Sequence, residues 1–157
     1  MRKRIITPVS KETAIADADW LKLDELAEVE ITSEDAAHPI ESALLPGRGS
    51  GWRAAGPGKQ TIRLCFARPQ PLRRIALNFV EPDSERTQEY VLRWSPDNGQ
   101  SFRDIVRQQW VFSPHGATSE SEDYAVELPA VTVLELGIVP DISGGAAIAS
   151  LAQWRLA

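Results

Sequence analysis

The segment from Arg107 to His115 carries side chains of the kinds that bind polyhydroxylated ligands. Arg107, Gln109 and His115 offer hydrogen-bond donors, and an arginine can bridge two neighbouring hydroxyl groups at once. The ring of Trp110 offers a flat apolar surface to the carbon face of a sugar ring. These four residues are therefore candidate ligand-binding residues. The alternative is that Trp110 and Phe112, two positions apart, pack into the core from one strand face.

A second candidate region surrounds two glycine- and proline-rich turns. His38 precedes Pro39, and Arg53 follows the sequence Gly-Ser-Gly-Trp that ends at Trp52. Turn-forming residues of this kind place neighbouring side chains on surface loops, where binding residues concentrate. We expect Trp52 to be a core residue, and we add Arg53 and His38 to the candidate ligand-binding residues at a loop rim.

Catalytic patterns are missing from the sequence. Its two histidines, His38 and His115, form no metal-binding motif, and the chain has neither a Gly-x-Ser-x-Gly elbow nor a phosphate-binding loop. The single cysteine, Cys65, lies between Leu64 and Phe66 in a predicted strand, a setting typical of an inert thiol. We predict no enzyme, no catalytic residues and no cofactor. A hydrolase with residues scattered over several loops is the less favoured alternative.

Composition limits the classes of partner and compartment. The chain has 157 residues, a net charge of −5 and a pI near 5.1, which argues against general binding to nucleic acid or to anionic membranes. No apolar run approaches the roughly 18 residues that span a bilayer. The basic residues at positions 2–4 are not followed by the apolar core of a signal peptide. Together with the lone Cys65, these features predict a cytoplasmic, bacterial-type protein.

The elements that must position the candidate residues are strands. Residues 1–20 are expected to form an irregular arm, and residues 21–157 a single domain with a helical turn near Leu23 and an irregular region over 33–58. Alternation of apolar and polar residues predicts about eight strands and hardly any helix, which favours an all-β jelly roll or β-sandwich. The predicted strands are 28–32, 61–66, 72–80, 88–94, 102–112, 124–128, 131–139 and 149–156.

The segment 90–102 carries a more specific pattern. Tyr90, Leu92 and Trp94 alternate along a strand, Ser-Pro-Asp-Asn-Gly supplies a turn, and Phe102 opens the next strand. This arrangement resembles the discoidin family, the type C domain of coagulation factors five and eight, which is a galactose-binding-like jelly roll. The Gly-Trp pair at Trp52, the strand–proline turn–strand segment 61–75 and the closing segment 149–156 resemble other parts of that family.

The resemblance implies a non-catalytic binding module whose ligand, most often a carbohydrate, contacts loops at the strand ends. An intracellular protein-interaction or assembly module of the same fold is the alternative, so the expected partner is a carbohydrate or a protein, and not nucleic acid or a membrane. In the family the chain ends lie together, which makes the strands near Val29 and Trp154 candidate partners.

One departure from the family concerns a metal site. Many such domains hold a structural calcium ion with an acidic residue of the last strand, where this chain has Gln153, so we predict no metal. We interpret the acidic run 119–123 as a solvated surface. We interpret residues 85–89 as a solvated loop; if Arg86 or Glu89 is buried, it is expected to pair with another loop.

Overall fold

The computed structural model describes residues 19–157, which form eight strands and two single-turn helices. In chain order the elements are α1 (Leu23–Leu26), β1 (Ala27–Ile31), α2 (Glu41–Leu44), β2 (Trp52–Pro57), β3 (Gln60–Val80), β4 (Arg86–Ser95), β5 (Arg103–Phe112), β6 (Ser119–Val139), β7 (Ile148–Leu151) and β8 (Gln153–Leu156). Within this part of the chain no helix is long and apolar enough to cross a membrane.

Two long strands, β3 and β6, pair with each other along nearly their whole length and take part in both layers of a β-sandwich. The front layer has the order β1, β3, β6, β4, β5, and it uses residues 60–66 of β3 and 133–139 of β6. The back layer contains residues 72–80 of β3, 119–128 of β6, and β8. All pairings are antiparallel, and β2 and β7 form a separate ribbon.

The alternation seen in the sequence is confirmed by burial. Tyr90, Leu92 and Trp94 face the core, as do Ile75 and Leu77 of the opposite layer. The largest fully buried side chains come from both layers and from the β2–β7 ribbon: Trp52, Trp154, Tyr90, Phe79, Phe112, Ile62, Leu64, Leu72, Leu92, Leu134 and Leu136. Burial of this apolar surface between the layers is the main force that stabilises the fold.

Several strand predictions were wrong in detail. The predicted strands 61–66 and 72–80 are one strand, and so are 124–128 and 131–139, because the chain bends from layer to layer at positions where the pairing register shifts, without a turn. Residues 52–57, expected to be irregular, form β2. Finally, β1 and β8 are not partners, since each pairs with a different part of β3.

The last predicted strand is divided into β7 and β8 by a close backbone approach. Gly51 has a φ of +101°, and a Cβ atom there would lie 2.5 Å from the carbonyl oxygen of Leu151. Only glycine allows both this backbone conformation and this distance. The contact sets the start of the β2–β7 ribbon and hence the position of Arg53, two residues later.

The turn between β4 and β5 has the predicted chemistry. Asn98 and Gly99 both have positive φ values, and Asp97 accepts hydrogen bonds from the Ser101 hydroxyl and from the Ser95 hydroxyl. These bonds lower the pKa of Asp97 to about 2. The Asn98 N–H donates to the hydroxyl of Thr132, where β6 bends. The segment that resembles discoidin domains therefore stabilises the fold at this end.

The acidic run 119–123 is not uniformly solvated. Ser119, Ser121 and Asp123 are exposed, but Glu120 points inward and is only 2% exposed. The correction has a simple cause: the run is part of β6, and alternate residues of a strand point to opposite faces.

Candidate functional site: the loop end

Five connecting segments meet at one end of the sandwich, which we call the loop end. They are residues 32–40, 58–59, 81–85, 113–118 and 140–147, and they follow or precede strand ends that the register places together. The Glu81 N–H donates to Thr118 of another segment, and the Ile142 N–H donates to Thr87 at the start of β4. The first and last residues of the described chain meet elsewhere, where the Leu21 N–H donates to Leu156.

Arg53 and His38, both candidates from the sequence, lie together at this end. A tight turn holds them: the Asp35 carboxylate accepts the Ala37 N–H at 3.0 Å, and the His38 N–H donates to the Asp35 carbonyl. This turn is paired with β2, because the Arg53 N–H donates to His38 and the Arg53 carbonyl accepts from Asp35. His38 Nδ1 is 3.6 Å from the Asp35 carboxylate. Three polar side chains are therefore positioned by one backbone unit.

The electrostatics of this group leave Arg53 available. The Ala37 N–H is the largest influence on Asp35 and lowers its pKa, and the charges of His38 and Arg53 lower it further. Arg53 is half-buried, yet within residues 19–157 its guanidinium forms no hydrogen bond and no ion pair closer than 4 Å. The Asp35–His38–Arg53 group thus offers hydrogen-bond donors and an acceptor, and the guanidinium donors of Arg53 are not used by other residues of the described chain.

A buried ion pair lies close to this group. Arg86 and Glu81 are 5% and 3% exposed, with Nη2 of the arginine 2.9 Å from the carboxylate. Nη1 of Arg86 donates to the Ile148 carbonyl at 2.9 Å. Burial lowers the pKa of Arg86, opposed by the charge of Glu81, and Arg53 is near enough to lower it too. The expected pairing of a buried Arg86 is found, but its partner lies in the connection directly before β4 and not in another loop.

The segment after β6 completes the loop end. Asp141 accepts hydrogen bonds from the Ser143 hydroxyl and N–H, which lower its pKa. Beside it, Ile142 is 50% exposed and lines a cleft of about 260 Å³ together with Lys59 and glycines of the same segment. The loop end therefore combines charged groups with a small apolar surface.

The other candidates lie in different places. Arg107 and Gln109 both bind Glu89 on the outer face of the front layer, at a charged cleft of about 220 Å³ that Arg107 lines. Trp110 points inward, opposite Gln88, and packs against the core with its Nε1 atom buried and without a partner in the described chain. His115 is exposed in the β5–β6 connection. The structure thus brings together Arg53 and His38, but not these four residues.

Asp35, Glu81, Arg86 and Asp141 were not among the sequence candidates. The position of Arg86 could have been found, because it is in phase with the buried residues Gln88 and Tyr90. Asp35, three residues before His38, has the spacing of a side-chain-capped turn. The sequence does not single out Glu81 or Asp141 in this way, although their partners, Arg86 and Ser143, are only a few residues away in the chain.

The described residues show neither a cluster of metal ligands nor a thiol with a lowered pKa. The described residues contain no group of three or more His, Cys, Asp or Glu side chains suited to a metal ion, and Glu34 is engaged by the Ile40 N–H. Burial and the neighbouring Glu30 raise the pKa of Cys65 to about 11. A thiol with this pKa is protonated at neutral pH and is a poor nucleophile.

The fold is similar to that of several solved carbohydrate-binding modules. The family 32 module of NanJ from C. perfringens, in complex with galactose, has a TM-score of 0.63 at 12% identity over 87% of this chain and 96% of its own. The family 32 module of AlyQ, in complex with 4,5-unsaturated mannuronic acid, gives 0.61 at 15% identity over 84% and 95%. A module from Clostridium perfringens in complex with GalNAc-β-1,3-galactose gives 0.60 at 17% identity over 87% and 98%.

No protein-family model matches the sequence, and no curated protein matches it significantly. The structural similarity covers nearly the full length of these modules at low identity, so it concerns the fold. The chain therefore has the galactose-binding-like β-sandwich fold of discoidin domains and family 32 carbohydrate-binding modules.

Proposed function

We propose that this protein is a non-catalytic carbohydrate-binding module whose ligand contacts Arg53, His38 and Asp35 at the loop end. The observation that carries the proposal is the unpaired, half-buried guanidinium of Arg53 beside a fixed carboxylate and imidazole. An arginine and a carboxylate in this arrangement can donate to and accept from neighbouring hydroxyl groups of one sugar ring.

The fold supports this assignment, because the similar modules were solved with galactose, with a galactose-containing disaccharide and with an unsaturated uronic acid. These three ligands share vicinal hydroxyl groups on a six-membered ring. The exposed side chain of Ile142 and its cleft supply an apolar surface at the same end of the sandwich, although none of the three polar residues lines that cleft. Sugar recognition generally combines a few directed hydrogen bonds with such apolar contact.

The alternative location is the outer sheet face, where Arg107 and Gln109 both contact Glu89. There the arginine is already neutralised by a carboxylate, and the Gln109 amide is occupied as well. A sugar would have to replace those bonds, so we favour the loop end.

Binding should therefore depend on Arg53 much more than on Arg107. A hydrogen bond from a charged group contributes about 1.5–3 kcal/mol, so Arg53→Gln should weaken sugar binding by roughly 10- to 100-fold. Arg107→Gln is the matched control and should change affinity by less than about twofold. The measurement is a glycan array followed by titration calorimetry with the strongest ligand. Equal affinities of the wild-type protein and Arg53→Gln, with a loss in Arg107→Gln, would move the site to the sheet face.

A further inference from the structure

A cleft at one edge of the front layer shares the segment 32–40 with the loop end, through Glu34 and Ile40, but is not lined by Asp35, His38 or Arg53. It lies between β1 and the two short helices, has a volume of about 450 Å³, and its apolar lining includes Leu23, Val29, Ile31, Ile40 and Leu44. Val29 and Ile31 are only half-buried and pack against the core from one face of β1. An apolar surface of this kind, beside a strand, can accept the side chains of another strand.

The strand itself is open on that side. Among the described residues β1 pairs only with β3, so it is the edge of the front layer. Alternate residues of an edge strand direct their N–H and C=O groups away from the sheet, where they can pair with an added strand. The cleft and the open edge are therefore two parts of one surface.

Acidic side chains surround this surface. Asp24, Glu34 and Glu41 line the cleft, and no basic residue from the described part of the chain lines it. On the opposite face of β1, Glu28 and Glu30 are exposed. Two copies of such an edge would repel each other, because like charges opposite each other on neighbouring strands are destabilising. The charge therefore disfavours a second copy and favours a basic partner.

We propose that β1 is a docking edge for an extended peptide of a partner protein in which basic and aliphatic residues alternate. The period of β1 dictates that pattern. Guest residues on the face of Val29 and Ile31 enter the apolar cleft, while those on the other face lie beside Glu28 and Glu30. Main-chain hydrogen bonds would supply affinity, and the alternation of side chains would supply specificity.

The test uses the full chain and two synthetic peptides of identical composition. One alternates, acetyl-Lys-Ile-Arg-Val-Lys-Ile-Arg-amide, and the other is blocked, acetyl-Ile-Val-Ile-Lys-Lys-Arg-Arg-amide. Non-specific attraction to an acidic protein treats them alike, whereas strand addition requires the alternation. Titration calorimetry should show about tenfold tighter binding of the alternating peptide. Equal affinities would overturn the proposal, and this comparison needs no variant.

A pair of charge-reversal variants locates the surface. Glu28→Lys/Glu30→Lys should weaken binding of the alternating peptide about tenfold, because two attractive neighbours become repulsive. Asp104→Lys/Glu127→Lys changes the net charge equally at exposed positions elsewhere and should have less than about a twofold effect. Equal effects of the two double variants would overturn the proposal. Sugar binding at Arg53 should persist in both, which separates this result from the proposed function.

Other occupants are recognised in the same experiments. If Arg2→Glu/Lys3→Glu/Arg4→Glu tightens peptide binding about tenfold, the chain's own basic terminus competes for the edge and the partner-peptide proposal is overturned. If sedimentation shows a dimer that Glu28→Lys/Glu30→Lys dissociates, the occupant is a second copy and the proposal is likewise overturned.

Discussion

Replacing Arg86 with methionine is expected to lower the free energy of unfolding by about 3–5 kcal/mol, because it leaves the Glu81 carboxylate buried without its cation. The Arg86 Nη2 atom lies 2.9 Å from the Glu81 carboxylate, and both side chains are almost fully buried. In every other ion pair among residues 19–157, at least one of the two side chains is more exposed. The variant also loses the hydrogen bond from Nη1 to Ile148. Urea denaturation at pH 7 measures the change.

Two matched variants distinguish this explanation from general damage. The double variant Glu81→Gln/Arg86→Met has no buried charge and should recover at least half of the loss. Arg107→Met breaks the exposed pair with Glu89, in which the arginine side chain is 63% exposed, and should cost less than about 1 kcal/mol. If the double variant is no more stable than Arg86→Met alone, the unpaired carboxylate is not the cause.

This pair also bears on sugar binding. Arg86 connects the start of β4 to β7, the partner of the strand that carries Arg53. Its loss should therefore disturb the loop end as well as the core, and the affinity of Arg86→Met for sugar should fall even where the protein is still folded.

The free energy of unfolding of Glu120→Gln should increase relative to that of the wild-type protein as the pH rises from 4.5 to above 7. Glu120 is 2% exposed, and neither carboxylate oxygen has a hydrogen-bond partner in residues 19–157. Burial, followed by the charge of neighbouring Glu122, raises its pKa from 4.5 to about 7. The charge of Glu122 therefore destabilises the ionised form of Glu120, and the charge of Glu120 in turn contributes to the raised pKa values of Tyr90 and Tyr124.

The sign follows from proton binding. Below pH 4.5 the folded and unfolded states both hold the proton, and the carboxyl group causes no pH-dependent loss. Between 4.5 and 7 the unfolded state releases it first, so the free energy of unfolding falls as the pH rises. Above 7 the loss is complete, and a pKa difference of this size corresponds to about 3 kcal/mol.

Denaturation curves of wild type and Glu120→Gln at pH 4, 6 and 8 test this prediction. The difference in the free energy of unfolding between the two proteins should widen by about 3 kcal/mol across the range. Glu127→Gln, an exposed carboxylate on the same strand, should track the wild type. A constant difference at all three pH values would show that Glu120 does not titrate with a raised pKa.

The positions of the candidate residues show which parts of a binding site can be predicted from the sequence. Arg107 and Gln109 are odd-numbered positions of β5 and face outward with Glu89, whereas Trp110 is even-numbered and faces the core. Because alternate residues of a strand point to opposite faces, Trp110 cannot share a surface with Arg107 and Gln109. Composition suggested a common site, and the alternation of the same residues argues against it. His38 was identified because its turn marks it as a loop residue, and Arg53 because it follows the Gly-Ser-Gly-Trp turn, although it lies at the start of β2.

The sequence by itself determined the class of the fold, since the alternation of apolar residues, the Asp-Asn-Gly turn and Gly51 act over a few neighbouring positions. Only the tertiary structure decided which loops meet, because pairings such as that of β3 with β6 join residues far apart in the chain and leave no local pattern. For the same reason it alone decided that Arg53 lies close to Asp35, that Glu120 is buried, and that β1 has no second strand partner within residues 19–157. Backbone sterics and the period of apolar residues are determined by short segments of the sequence, whereas a binding surface depends on contacts between residues far apart in the chain.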